Sequence, residues 1–395
     1  MIGVNIRTLR LQRGMSLRAL ATASGLSAGY LSKVERGLAN LDRRRSLLDV
    51  ADALHVSPRQ LTGQPYDAQS RAEDLVRVAV ADLRDILYGT AVGAATGQEP
   101  GQDIPALRAA VDRAGDLYAA SAVEDLAGMI PALLTDLYAH TAGGPGAAEA
   151  TALLPEALNA AWNLAHWAGE AEVAHRAAEH AVAAAAIDGD PALGGFAAFG
   201  LCHTLAHVNG PRARVRGAHL AADAADALAP HANSGPAAEM FGMLHLTAAW
   251  ADLLAGAGDD VDAHVGEAEA AARRTGHGSY GRLWFGPSNV AAWRVALAVE
   301  RGEGGRVPEL ARAVELPGLR APGRKAGHLT NVGRGLAQEP RAARDAIGAF
   351  RRARALTPTR VRWDPNVRLT TEKLLYEVGG SEVRQFASWL GIIPR

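Results

Sequence analysis

The chain has 395 residues, a single cysteine and a formal net charge of −1, which is long for one small core and suits two or three folded units. Cys202 stands alone, so an intrachain disulfide is excluded, and no uninterrupted apolar run is long enough for a membrane span. The near-zero charge hides an asymmetry: the first 66 residues hold ten Lys/Arg against four Asp/Glu, a net of +6, and the remainder is −7. A basic head on an acidic body points to a polyanionic partner. No signal peptide is read ahead of Val4, and the expected location is the cytoplasm. Lysine occurs only at positions 33, 325 and 373, a bias typical of GC-rich genomes, so the alanine-rich runs argue for helix and nothing more.

From Val4 to Leu61 the pattern predicts five short helices. Ser16, Ser27 and Ser57 are placed to cap the second, third and fifth, each hydroxyl accepting from an orphan amide of the first turn. Gly14 and Gly37 stand where helices end. Within "LRALATASGLSAGYLSKVERG", residues 17 to 37, Ala21 is a small residue where two helices cross and Gly25 a turn residue. Leu31 and Val34 form the buried side of the following helix. Residues 1–66 are therefore expected to form a helical head, with 67–74 a linker and 75–395 a helical body.

In the body, Gly/Pro clusters fall between helices and no period-2 strand pattern appears, so the fold class is all-α. Helix pairs are predicted at 153–168 with 170–187, 192–208 with 212–229, 236–256 with 260–275, 287–301 with 306–315 and 324–337 with 341–356. Their turn glycines, Gly169, Gly210, Gly258 and Gly302, recur at helical-hairpin spacing. A solenoid is the expectation, an alanine-rich bundle the alternative. Residues 75–150 show no repeat register.

Residues 3–63, with "MSLRALATASGLS", "YLSKVERG" and "LLDVADALHVSPRQLTG", resemble the Cro/C1-type (XRE) helix-turn-helix. The resemblance implies a five-helix head that binds a pseudo-palindromic DNA operator as a homodimer. With Leu31 and Val34 inward, helical geometry places Ala28, Gly29, Ser32 and Lys33 on the exposed side, which in this family enters the major groove. Lys33 is the expected guanine contact, Ala28 suits a thymine methyl, and Tyr30 lies at the edge of that face. Ser16, Ser27 and Arg36 match family positions near phosphate, and Arg43, Arg44 and Arg45 follow as a candidate backbone clamp. The pieces "LAHWAGEAEVAHRAAEHA" and "AIGAFRRARALTP" resemble tetratricopeptide repeats.

A solenoid presents the first helix of each pair on its concave side, where a small-molecule or peptide effector would lie. The residues on that face are Asn159, Asn163, His166 and Glu170 in the first pair, and Phe196, Phe199, His203 and His207 in the second. Glu239, Met243, Leu246 and Trp250 follow, then Asn289, Trp293 and Glu300. Trp162, Trp250 and Trp293 also read as inter-helix packing. The segment "YGRLWFGPSNVAAWRVALAVERGE" (280–303) is the most distinctive of the body. It is expected to bring Trp284, Phe285 and Asn289 together at a helix start capped by Ser288 or Asn289, and it resembles segments of XRE regulators of GC-rich bacteria with repeat-like sensor domains. That likeness implies control of nearby genes by a small molecule or peptide; the other function class open is a protein-interaction scaffold.

No catalytic role is expected, because no P-loop, dinucleotide fingerprint or nucleophile elbow occurs. His203 and His207 have a zinc-compatible spacing, but no glutamate follows His203 and Cys202 points about 100° away around the helix. No metal or other cofactor is assigned.

Overall fold

The computed structural model describes every residue except 1, 42, 67, 69, 95–98, 207–209, 259, 340, 394 and 395, and among the described residues it contains helices and turns but no strand. The head comprises α1 (Ile2–Gln12), α2 (Leu17–Ser24), α3 (Ala28–Glu35), α4 (Arg44–Ala53) and α5 (Pro58–Thr62). Next come α6 (Arg71–Gly89), α7 (Ile104–Ala120), α8 (Val123–Ala127) and α9 (Ile130–Thr141). Hairpins follow: α10 (Ala147–Trp167) with α11 (Ala171–Asp188), then α12 (Pro191–Leu205) with α13 (Pro211–Leu228). Then α14 (Gly235–Ala255) pairs with α15 (Val261–Thr275), α16 (Pro287–Arg301) with α17 (Val307–Arg312), and α18 (Pro322–Leu336) with α19 (Ala343–Leu356). The chain closes with α20 (Pro358–Trp363), α21 (Pro365–Glu377) and α22 (Ser381–Leu390).

The head folds as its local signals dictate. Ser16 Oγ accepts from the Ala19 amide at 3.0 Å and Ser27 Oγ from the Tyr30 amide at 3.2 Å, while Ser57 and Gln60 close a reciprocal capping box. Gly25 takes φ +66° at the sharp turn between α2 and α3. Ile6, Leu20, Leu31, Val34, Val50, Leu54 and Leu61 are buried together beneath these helices, and Leu369 from the far end of the chain joins them.

The body is a ring. The first helices of successive hairpins, α10, α12, α14, α16 and α18, pack side by side, with their partners outside. Both α10 and α18 also touch α7, which closes the circle. A clasp from 276 to 286 reinforces the closure: Arg282 Nε donates to Asp116 Oδ1 at 2.8 Å, and its other nitrogens reach Asp112 and Glu156. This clasp is conformationally unusual, with Arg282 and Trp284 both in the left-handed region at φ +55° and +48°. It explains why that segment stands out in the sequence.

The head sits on the rim of this ring, where the hairpin turns emerge. The Gly210 amide donates to Asp52 at 3.1 Å, and Arg214 of α13, only 4% exposed, reaches Asp49 at 3.0 Å and Asp52 at 2.6 Å. Gln64 packs on Gly169, Arg43 on Gly302 and Arg45 on Gly256. The third turn glycine is thus Gly256 rather than Gly258; it has φ +88°, and a Cβ there would fall 2.5 Å from the Arg45 guanidinium. Arg59 grips Glu170 through two hydrogen bonds of 3.1 and 3.0 Å.

Candidate functional site

Two surfaces of the head face different partners. On the outer one, Ser16, Ser27, Gly29, Lys33 and Arg36 are exposed and Ser32 half-exposed. Lys33 projects from the last turn of α3, and Arg36 Nε is held locally on the Ser32 carbonyl at 3.2 Å. Ala28 and Tyr30 are half-buried against the head core. The Tyr30 hydroxyl donates to the Asn40 carbonyl, and the Asn40 amide donates to the Leu369 carbonyl. Tyr30 thus ties the start of α3 to the segment after it, with its ring half-exposed. Arg43 is exposed on the rim.

Arg44 departs from expectation altogether. Its backbone amide donates to Glu300 Oε2 at 3.0 Å, its guanidinium lies 3.3 Å from Glu300 Oε1 and 5.8 Å above the Trp250 ring. The start of α4 abuts α16, so this cation turns into the molecule and away from any DNA backbone. Burial lowers the Arg44 pKa, with Arg334 adding to the effect and Glu300 opposing it.

The inner surface of the head closes a cavity of about 350 Å³ in the middle of the ring. Arg44, Leu47, Leu48, Pro58, Arg59, Thr62 and Gln64 form its roof, and the inner faces of α10, α12, α14, α16 and α18 form its wall. An aromatic box surrounds His203: its ring centroid lies 4.5 Å from Phe199, 5.0 Å from Trp250, 6.0 Å from Trp293 and 6.3 Å from Trp162. Burial, helped by Arg324, His166 and Arg44, pushes His203 down to about 3. Burial followed by Arg44 and Arg360 pushes His166 down to about 4. Both rings are neutral at pH 7.

A helix-turn-helix domain family matches residues 2–62. The HTH-type transcriptional regulator SinR of Bacillus licheniformis is 38% identical over 87 residues, covering 20% of this chain and 78% of that relative. The chain belongs to the helix-turn-helix transcriptional regulators. No solved structure gives a significant match, so the ring of this regulator rests on its own geometry. Among its described residues no helix is long and apolar enough to cross a membrane.

The regulator brings Asn163, His166, Phe199, His203, Trp250, Asn289 and Trp293 together on the cavity wall. The other effector candidates lie elsewhere. Asn159 is buried behind the wall and accepts from Trp162 Nε1 at 3.0 Å, fixing that ring. Phe285 is fully buried and packs over Gly242 in the core. Trp284 is outside the lining, its carbonyl accepting from Asn289 Nδ2 at 3.1 Å. Gly286 precedes α16 and Pro287 is its first residue, with no side-chain cap, which leaves Ser288 and Asn289 inside the helix. His207 falls outside the described residues.

Arg59, Arg324, His328, Arg360 and Trp363 also line the cavity of this regulator and were missed as site residues. They come from α5, α18 and α20, which ring closure and the seating of the head bring together. The only local signal was a set of arginines and aromatics set in alanine-rich sequence.

The histidines that line the cavity carry a pH signature. Burial lowers His166 and His328 to about 4 and His203 to about 3, against about 6.5 in an unfolded chain. The unfolded chain binds these protons below pH 6.5 while the folded one does not, so stability present above that pH is lost as the pH falls toward 4. Calorimetry at pH 5 in buffers of different ionisation enthalpy should show proton uptake on unfolding, reduced by about one proton in His203→Phe. An unchanged uptake would contradict the neutral, buried assignment.

Proposed function

We propose that this DNA-binding regulator is a cytoplasmic homodimer that reads a pseudo-palindromic operator through α3, and that an effector in the ring cavity modulates its grip. The body acts as a tetratricopeptide-like sensor with no catalytic role. One observation carries the reading: the same small head presents Lys33 outward on α3 and roofs an aromatic-lined cavity with α4 and α5. A ligand there touches the element whose placement sets the spacing of two half-sites, about 34–36 Å apart on one face of DNA. Such coupling shifts DNA affinity by the ligand's preference between two head placements, typically about 1–3 kcal/mol. A roofed concavity lined by aromatic rings suits a small effector better than the flat, charged surface that a scaffold would use.

Selection from random duplexes with the full-length protein should return two related half-sites about one helical turn apart. On the selected site Lys33→Ala should weaken binding by about 1–3 kcal/mol, and on scrambled DNA by less. Equal losses on both would remove Lys33 from base reading, and an unenriched pool would reject the operator reading.

A further inference from the structure

The cavity has a charge character that its residue composition only hints at. Five arginines line it and a single carboxylate, Asp364, does so. Three of those arginines are matched: Arg44 by Glu300, Arg59 by Glu170, and Arg282 by Asp112, Asp116 and Glu156. Arg324 and Arg360 form no ion pair among the described residues. Arg360 is positioned by neutral groups, donating to Ser121 Oγ at 3.1 Å and the Gly323 carbonyl at 3.0 Å beside the Trp167 ring. Asp364 is close enough to act on Arg360 and on Arg44, but one carboxylate does not balance the cations left unpaired, and surplus half-buried cations are costly unless they face an anion.

A second, independent observation concerns hydrogen bonding. Trp363 and His328 are each 6% exposed, and Trp363 Nε1 and His328 Nδ1 have no hydrogen-bond partner. Both residues line the cavity, as does His203, whose Nε2 is likewise unpartnered. An indole N–H only donates, so what is missing opposite Trp363 is an acceptor. Buried groups of this kind ordinarily have partners; these three belong to cavity-lining residues, and the atoms themselves lie just under the cavity surface. The aromatic box about His203 supplies the remaining character, flat faces for an apolar or aromatic body. The volume, about 350 Å³, falls in the range of small-molecule pockets.

We infer that the effector is a small organic anion with a flat apolar body, its charged oxygens on Arg324 and Arg360 and its body among Trp162, Phe199, His203, Trp250 and Trp293, in contact with the head through Arg44. This deepens the effector reading above and rests on it. The neutral histidines fit the assignment, since the surrounding arginines help hold them unprotonated.

The test uses two fluorescent probes that differ only in charge, 1-anilinonaphthalene-8-sulfonate and the uncharged N-phenyl-1-naphthylamine, titrated into the full-length protein. The sulfonate should bind at one site per chain and more tightly than the neutral probe. In Arg324→Gln/Arg360→Gln its affinity should drop roughly 10-fold to 100-fold, with the neutral probe little changed. Equal affinity of the two probes in the wild-type protein would overturn the inference without any variant, as would undiminished sulfonate binding in a folded double variant. Operator selection is run on the same proteins. If the double variant selects the wild-type operator while the probes behave alike, the anion assignment falls and the DNA-reading function stands.

Discussion

Glu300→Gln should destabilise the folded chain by about 3–5 kcal/mol, the cost of breaking a buried ion pair from one side. Glu300 holds two arginines: Arg334 Nη2 at 3.0 Å and Arg44 Nη1 at 3.3 Å, with side-chain exposures of 2% for Glu300 and 1% for Arg334. Burial alone would raise the Glu300 pKa, but Arg334 and Arg44 hold it below the usual range. Without its charge the two guanidinium groups repel each other across α16, α18 and the start of α4. Glu303→Gln is the control, because its pair with Arg306 lies on the surface and such pairs contribute about 0–1 kcal/mol. Chemical denaturation of the three proteins decides the matter. Hydrogen exchange would add that the amides of α4, including Arg44, exchange faster in Glu300→Gln. A loss no larger than that of the control would mean that water reaches the triad.

Phe285→Ala should cost a similar amount, about 3–5 kcal/mol. The ring is fully buried and fills the space over Gly242, where a Cβ would come within 2.0 Å of Cζ. The same geometry makes Gly242→Ala destabilising, because the ring cannot retreat from a close-packed core. The expectation separates two roles for Phe285. A core residue lowers the melting temperature of the free protein when truncated; a ligand contact would leave that temperature in place and lose only the ligand-induced rise.

The head was legible because its signals are local. Ser16, Ser27 and Ser57 cap the next turn, Gly25 needs its own backbone conformation, and Leu31 and Val34 repeat at helical spacing. The hairpins were legible for the same reason, and so was the inward direction of Asn163, His166, Phe199, His203, Trp250 and Trp293, since each repeats along a first helix. What periodicity cannot reveal is what lies opposite a face. The arginines at 43 to 45 read as a phosphate clamp because composition reports charge, not partners; Glu300, far along the chain, takes Arg44. Phe285 and Asn159 carry the right chemistry for a pocket but sit behind its wall, a difference of one side-chain direction. Arg324, Arg360 and Trp363 became site residues only through the contact of α18 with α7 and the crossing of α20 beside it.

The seat of the head has a consequence in time. Asn40 hydrogen-bonds the carbonyl of Leu369, 329 residues later, and Leu369 itself completes the core of the head. At about 5–20 residues per second of synthesis, roughly 15–65 seconds separate the emergence of the two from the ribosome. The nascent chain thus exposes α3 and the roof residues of the head long before the helices that wall the cavity exist. Each newly made molecule passes through a stage in which its helix-turn-helix head has been made and the ring that seats it has not.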